Sequence, residues 1–569
     1  MDKNRRILLT AISILPILIW VFVIIRYVVN IPWFDDFDPF PDFLREWIAD
    51  ESAAARLELV FRPNNEHRMV FGKLAALVYY LVTGHLNFIF LQLVGACFTL
   101  GTCFILWTSF QSSKINWWYF LPVPFLLFQF QYYLVFLWSI CSLQHQPVIF
   151  FICLSMFFLS KERFYFAILA AFCATFAMSN GIFVWIGGVA ILVSRTNFRQ
   201  LGLWCFLGAV AIGLYFYGMS AQGNESSVDF LLKNPHLSVL GFLAFLGGLF
   251  DIFPWLKIEF RSTLPVVTSL FVITWLMMWL VTIFAPASRR YFKFPKQIPA
   301  ILRRFNPESS NGKELSAFTL GVLVFLISNA LIIGLLRPRF GFFVMLVSNY
   351  KIYPAVFLSV TYLAFLTSTI DSGLQKSGFK IALVISLLIW CFSAFNYLPA
   401  ISERRKYLLV NAYNQQHNAF GLGHIPFSNG AVYVDNLMKG LVEKGIYSYP
   451  QETSFLISEI EKVKNSPSRE MDVTSKIENG QIQISDSHAR FSFGFYDGVY
   501  PFIVSKDRCY LFKMTQNQYI GRNILREFRK GSQIEIPESS LLPGLYKLGI
   551  VRINGSLTNS GTIGEITIP

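Results

Sequence analysis

Long apolar runs, almost free of charge, follow one another from residue 7 to about 398, separated by short polar stretches. Runs of roughly 20 apolar residues suit the ~30 Å hydrocarbon core of a bilayer. The pattern predicts membrane spans at 7–29, 87–110, 117–137, 146–160, 164–178, 182–194, 201–219, 264–285, 316–336, 352–370 and 379–398, about eleven in all. Residues 400–468 read as mixed, with helical patches at Tyr407–Gln416 and Leu437–Lys444. From about 470 the texture changes to alternation. "KIENGQIQI", "RFSFGFY", "SQIEI", "GLYKLGIVRI" and "GEITI", broken by Asn-Gly and Pro-Gly, predict an antiparallel β-sandwich. The expected fold is a polytopic α-helical membrane protein with a C-terminal β-sandwich-like domain. Its parts are a membrane module 1–399, a helical connector 400–468 and a β-rich domain 469–569.

Composition agrees with that reading. Of 569 residues, 54% are hydrophobic and only 14% charged, against about 25% charged in ordinary soluble domains. The net charge of +14 sits mostly in short loops, which reports orientation and contact with anionic lipid, not nucleic acid. Lys3, Arg5 and Arg6 hold the N-terminus in the cytoplasm, and the first segment reads as a retained helix and not a signal peptide. The run 69–83 is short and carries Lys73, so it is expected to lie at the interface. With that choice Lys114, Lys161, Arg163, Arg195, Arg199, Lys376 and the basic stretch 289–304 all fall inside. The outer side receives 30–86, 138–145, 179–181, 220–262, 337–351 and everything after 399. Seven of the eight cysteines lie in or beside apolar runs, and no CxxC spacing appears, which argues against a zinc site or disulfide framework. No phosphate-binding glycine loop of the GxxxxGK[ST] or GxGxxG type is present.

The candidate chemistry lies in the outer segments. "WFDDFDPF" (33–40) places Asp35 and Asp36 among Trp33, Phe34, Phe37 and Phe40, and a carboxylate in such surroundings gains basicity. "NNEHR" (64–68) groups Glu66, His67 and Arg68, without the HExxH spacing of a metalloprotease. His145 is expected at the outer end of a span. "RPRFGFFVMLVSNYK" (337–351) sets Arg337, Arg339 and Lys351 outside, against the positive-inside tendency, where they suit a phosphate ligand. In the β-rich part, Phe491, Phe493 and Phe495 would share one strand face. That face reads as sandwich core, and Tyr496 and Tyr500 would then flank a turn where exposed aromatics could stack on sugar.

Together these features resemble the C-type (GT-C) membrane glycosyltransferases, which take sugars from polyprenyl-phosphate carriers. "WFDDF", "NNEHRM" and "SNG" at 179–181 look like bacterial members of that superfamily and are similar to enzymes that decorate O-antigen; Asp36-Phe37-Asp38 has a DxD spacing seen in many members. The resemblance implies inverting transfer to a periplasmic glycan acceptor, with Asp35 or Asp36 as base. It also implies substrate contacts from Glu66, His67, Arg68, His145, Asn180, Arg337, Arg339 and Lys351. No cofactor is firmly implied; Asp35 or Asp36 with Glu66 offers oxygen ligands for a divalent cation, without a dedicated cage. The implied setting is a bacterial inner membrane with the C-terminal domain periplasmic. The implied partners are a lipid-linked sugar donor, a glycan acceptor, membrane lipid, and a carrier-sugar synthase and flippase. An O-antigen polymerase or ligase and a lipid-linked sugar transporter are the alternatives.

Overall fold

A computed structural model describes residues 3–50, 52–64, 67–219, 225–288, 312–369, 371–465, 471–519 and 527–569. The basic stretch 289–304 and Glu66 lie outside them. The chain is mostly helical, at 67%. Among the described residues eight helices are long and apolar enough to cross a membrane: Arg6–Tyr27, Phe88–Gln111, Ser139–Ser160, Phe198–Phe216, Ile258–Phe284, Lys313–Leu336, Ser348–Ser368 and Ser372–Asn418. Shorter apolar helices include Val70–Thr83, Phe164–Ala177 and Pro235–Leu246. The helix Val70–Thr83 has 14 residues, a rise of about 21 Å, short of the ~30 Å core.

Three segments depart from expectation. The run 117–137 does not form one helix. It breaks into Trp117–Phe120, Pro122–Leu127 and Tyr133–Leu137. Pro122 and Pro124 open the middle piece, and the backbone beyond it is satisfied from outside. Ser393 Oγ accepts from the N–H groups of Phe130 and Gln131 at 2.8 and 3.1 Å, and Trp390 Nε1 donates to Phe128 C=O at 3.1 Å. Irregular backbone is tolerated inside a helical bundle where protein groups replace its lost partners. Conversely, 138–145, expected as an outer loop, is the first two turns of the helix Ser139–Ser160. Its polar side chains find interior partners: Gln92 Nε2 donates to Ser139 Oγ at 3.2 Å, and Thr99 Oγ1 donates to Gln146 Oε1 at 2.6 Å. The expected outer stretch 220–262 likewise contains the helices Glu225–Lys233 and Pro235–Leu246.

The chain divides into two compact units. The first holds Met1–Arg26, Ser52–Ala75 and Leu91–Tyr397; the second holds Tyr27–Glu51, Ala76–Phe90 and Leu398–Pro569. Among the described residues of the second unit lie eight strands: β1 (Thr474–Glu478), β2 (Gln481–Asp486), β3 (Gly498–Val504), β4 (Cys509–Leu511), β5 (Thr515–Gln518), β6 (Phe528–Pro537), β7 (Gly544–Asn554) and β8 (Leu557–Ile568). They form two antiparallel sheets, ordered β1-β2-β6-β5 and β4-β3-β7-β8. The β1–β2 hairpin turns on Asn479 and Gly480, both at positive φ, as a two-residue loop of that type requires. Ile482, Ile484 and Ile536 from the first sheet meet Val499, Ile503, Leu548 and Ile550 from the second. The second sheet's other face, with Tyr500, Phe502, Val504 and Val551, packs on Val410, Leu456, Ile460 and Val463 of the helices Ser372–Asn418 and Ser454–Asn465.

"RFSFGFY" is not a strand. Residues 490–497 run as irregular chain and bends before β3. Phe491 and Phe493 touch edge-on at 4.9 Å, whereas Phe495 lies under the Arg405 guanidinium at 4.5 Å. Tyr500 is only 2% exposed and donates its hydroxyl to Tyr496 C=O at 2.7 Å, so it is core and offers no sugar platform.

Candidate functional site

In the second unit the aromatic loop builds around its backbone. Trp33 N–H donates to Asp36 Oδ2 at 2.9 Å, and Asp36 N–H returns a bond to Trp33 C=O at 3.1 Å. Asp36 is thereby buried and committed to closing this turn. Asp35 stays exposed. Adjacent carboxylates thus take different roles, one holding the loop and one facing solvent. Crowding by the surrounding loop raises the Asp35 pKa above the usual carboxylate range; the neighbouring Asp38 adds to the rise and His424 opposes it.

His424 is the residue that sequence inspection missed. It comes from "GLGHIPF", some 390 positions downstream, and its ring stacks on Phe34 with centroids 6.1 Å apart and planes 3° from parallel. Phe34 N–H donates to Leu422 C=O at 3.2 Å. Gly423 sits at φ +102, and a Cβ there would come within 2.5 Å of the Phe34 ring. The flanking glycines, which permit so close an approach, were the available signal. Beyond the loop, Asp42 pairs with Arg45 at 2.5 Å. A cleft of about 290 Å³ opens there, lined in part by Arg45, Tyr433, Asn436 and Lys444.

Two further buried polar networks of the first unit hold residues singled out from the sequence. In one, the Tyr353 hydroxyl lies 2.9 Å from His145 Nδ1 and accepts from Asn180 Nδ2 at 2.7 Å; Asn180 Nδ2 also reaches Asn329 Oδ1 at 3.1 Å. All four residues are at most 9% exposed, and His67 lies within electrostatic reach of His145. Sequence-selected His145 and Asn180 are therefore brought together by a tyrosine that no motif marked. In the other network, Asp251 receives Arg261 Nε at 2.7 Å and Lys351 Nζ at 2.6 Å, and Lys351 also donates to Tyr397 Oη at 2.8 Å. Burial pushes the Asp251 pKa up, but Lys351 and Arg261 outweigh it and hold the carboxyl below its usual range. Lys351, expected to meet a phosphate, is thus bound to a carboxylate inside the unit.

Arg68 is also structural in its contacts. Nε donates to Tyr215 C=O at 2.7 Å, and the two terminal nitrogens donate to the carbonyls of Phe61 and Tyr217. Lys73 Nζ similarly meets the Leu59 and Arg62 carbonyls at 2.9 and 2.6 Å. Both cations therefore cap helix ends, where carbonyls lack helical partners. Arg337 and Arg339 flank Pro338 on the turn Pro338–Phe340, their guanidinium carbons 5.8 and 4.5 Å from the Phe340 ring centroid. Among the described residues no group of three or more His, Cys, Asp or Glu side chains converges to hold a metal ion.

Comparison with known proteins finds no matching family model, no matching curated protein and no matching solved structure.

Proposed function

We propose that the chain is an inverting membrane glycosyltransferase of the GT-C type, moving a sugar from a polyprenyl-phosphate carrier to a glycan acceptor such as O-antigen. The observation that carries this reading is Asp35: an exposed carboxylate of raised pKa, held in an aromatic loop beside His424. Asp35 takes the proton from an acceptor hydroxyl; the freed oxygen attacks the anomeric carbon; the bond from that carbon to the phosphate oxygen breaks and the lipid phosphate leaves. A phosphate is a good leaving group, so a base and charge stabilisation suffice. His424 tunes Asp35. The cleft beside Arg45, Tyr433 and Asn436 suits the hydroxyls of an acceptor sugar. On this reading the membrane-length helices cross a bacterial inner membrane and the β-domain is periplasmic.

The test is transfer from a polyprenyl-phosphate sugar by purified Asp35→Asn chain, alongside a mass spectrum of the surface glycan in cells carrying it. Transfer and the glycan modification should both vanish while the chain remains folded; wild-type transfer would discard Asp35 as base. A transporter of lipid-linked sugar is the second reading, favoured by the buried Asp251–Lys351 pair, since ionisable groups inside a membrane protein often mark a pathway. Flux of lipid-linked sugar across the membrane that survives Asp35→Asn would select it.

A further inference from the structure

Residues Ile425–Pro426–Phe427–Ser428 form a reverse turn, closed by Ser428 N–H donating to Ile425 C=O at 3.2 Å. Proline occupies the second position, and Phe427 occupies the third at φ +63. Positive φ at that position is the type II pattern, which favours glycine or asparagine and disfavours a bulky side chain. Phe427 nevertheless packs little: it is 52% exposed, and Ile425 is 78% exposed. Core packing therefore does not explain why an aromatic residue occupies a glycine position. Strain held at an exposed site points to use of the projecting side chain.

The surroundings identify what the turn meets. Ser428 Oγ accepts from Ala431 N–H at 3.2 Å and caps the helix Asn429–Glu443, whose first turn adds Val432, also exposed. His424, just before the turn, is stacked on exposed Phe34. Phe34 is seven residues past Tyr27, where the first membrane-length helix ends, a tether of at most about 24 Å. At the helix's far end, Leu86 N–H donates to Ile446 C=O at 2.7 Å, and His85 Nδ1 lies 2.9 Å from Gly445 C=O. Both follow directly on the helix Val70–Thr83, which exposes Val78, Leu81 and Val82, an i, i+3, i+4 apolar stripe. The helix Asn429–Glu443 is thus bracketed by two sets of exposed apolar side chains, with a membrane helix close in sequence to one of them. A lipid surface fits this arrangement better than a soluble partner does.

We propose that the Ile425–Phe427 turn is a lipid wedge, inserted at the headgroup–acyl boundary of the bilayer and holding the loop of Asp35 at that surface. The test uses the full chain in phosphatidylcholine–phosphatidylglycerol vesicles, with native cysteines replaced and a fluorophore placed at Ile425→Cys. A second probe at Ser487→Cys, exposed on the β-domain, serves as the water-facing reference. Nitroxide-labelled lipid should quench the probe at 425 several times more strongly than the one at 487. Equal quenching overturns the proposal. So does quenching at 425 only by an added nitroxide-labelled polyprenyl phosphate, which would make the turn a donor contact, and so does burial of the probe by a protein partner without lipid quenching. Phe427→Gly supplies the second arm. It removes the ring while relieving the positive φ, so thermal stability should hold or rise while quenching at 425 falls. Loss of stability with unchanged quenching would mean that Phe427 is there for packing.

Discussion

Lys351 and Asp251 form a buried ion pair, Nζ to Oδ2 at 2.6 Å, with their side chains 1% and 0% exposed. Arg261 meets the same carboxylate at 2.5 Å from its Nη2, so two cations share one anion. The arrangement makes substitution asymmetric. Lys351→Met leaves Asp251 paired with Arg261, whereas Asp251→Asn leaves two cations around a neutral amide. Removing the carboxylate of such a cluster typically costs about 3–5 kcal/mol. The expected order of thermal stability in detergent is wild type, then Lys351→Met, then Asp251→Asn. The reverse order would mean that Arg261 does not sustain the carboxylate.

Asp35 and Asp36 should separate cleanly on mutation. Asp35→Asn leaves the turn intact and removes the proposed base, so sugar transfer should fall by roughly 10²–10⁴-fold with no loss of melting temperature. Asp36→Ala removes the acceptor of the Trp33 N–H, a charge-assisted bond worth about 1.5–3 kcal/mol, and should appear first as lost stability. Parallel unfolding curves and transfer rates for the two variants read this out. Identical phenotypes would contradict the division of labour.

The acidity of Asp35 gives a pH dependence of defined sign. Crowding and Asp38 raise its pKa and His424 lowers it, so the base is lost as pH falls through a value above that of an ordinary aspartate. Removing His424's charge with His424→Gln should move the acid limb of the pH–rate profile to higher pH. Asp38→Asn should move it to lower pH. For folding, a raised carboxyl pKa means that the native state holds its proton more tightly than the unfolded chain. Its contribution therefore favours the native state at low pH and declines as pH rises from the unfolded value through the folded one. Asp35→Asn should flatten that part of the stability curve.

Tyr353→Phe tests the buried link between His145 and Asn180. The ring stays and the hydroxyl goes, leaving two buried polar groups short of a partner, at an expected cost of about 1–3 kcal/mol. Adding Asn180→Leu should give a double variant less destabilised than the sum of the two singles, because both act on one network. Strict additivity of the two unfolding free energies would show that the 2.7 Å contact carries no energy.

Gly423→Ala should loosen the Asp35 loop. The φ of +102 and the close Phe34 ring leave no room for a Cβ, so the variant should lose stability by about 1–3 kcal/mol and shed protection at the Phe34 amide in hydrogen exchange. Gly440→Ala, in open space in the helix Asn429–Glu443, is the matched control and should be neutral or stabilising.

What the chain determines locally could be read from it directly. A membrane-length helix satisfies its own backbone, so apolar runs alone announce Phe88–Gln111 and Lys313–Leu336. The hairpin at Asn479-Gly480 is equally local, because two positive φ angles are available to that pair at little cost. Tertiary structure decided whatever depends on a distant partner. Ser139 and His145 look like loop residues until Gln92 and Tyr353 satisfy them within a helix. Phe491, Phe493 and Phe495 alternate as a strand would, but Phe528 stacks on the first at 4.2 Å and Arg405 holds the last, leaving no ladder between them. Lys351 reads as a cation awaiting a phosphate until Asp251, 100 positions away, supplies the carboxylate. The loop of Asp35 was visible in the sequence; His424 was not, because electrostatic coupling acts through space and leaves no periodicity along the chain.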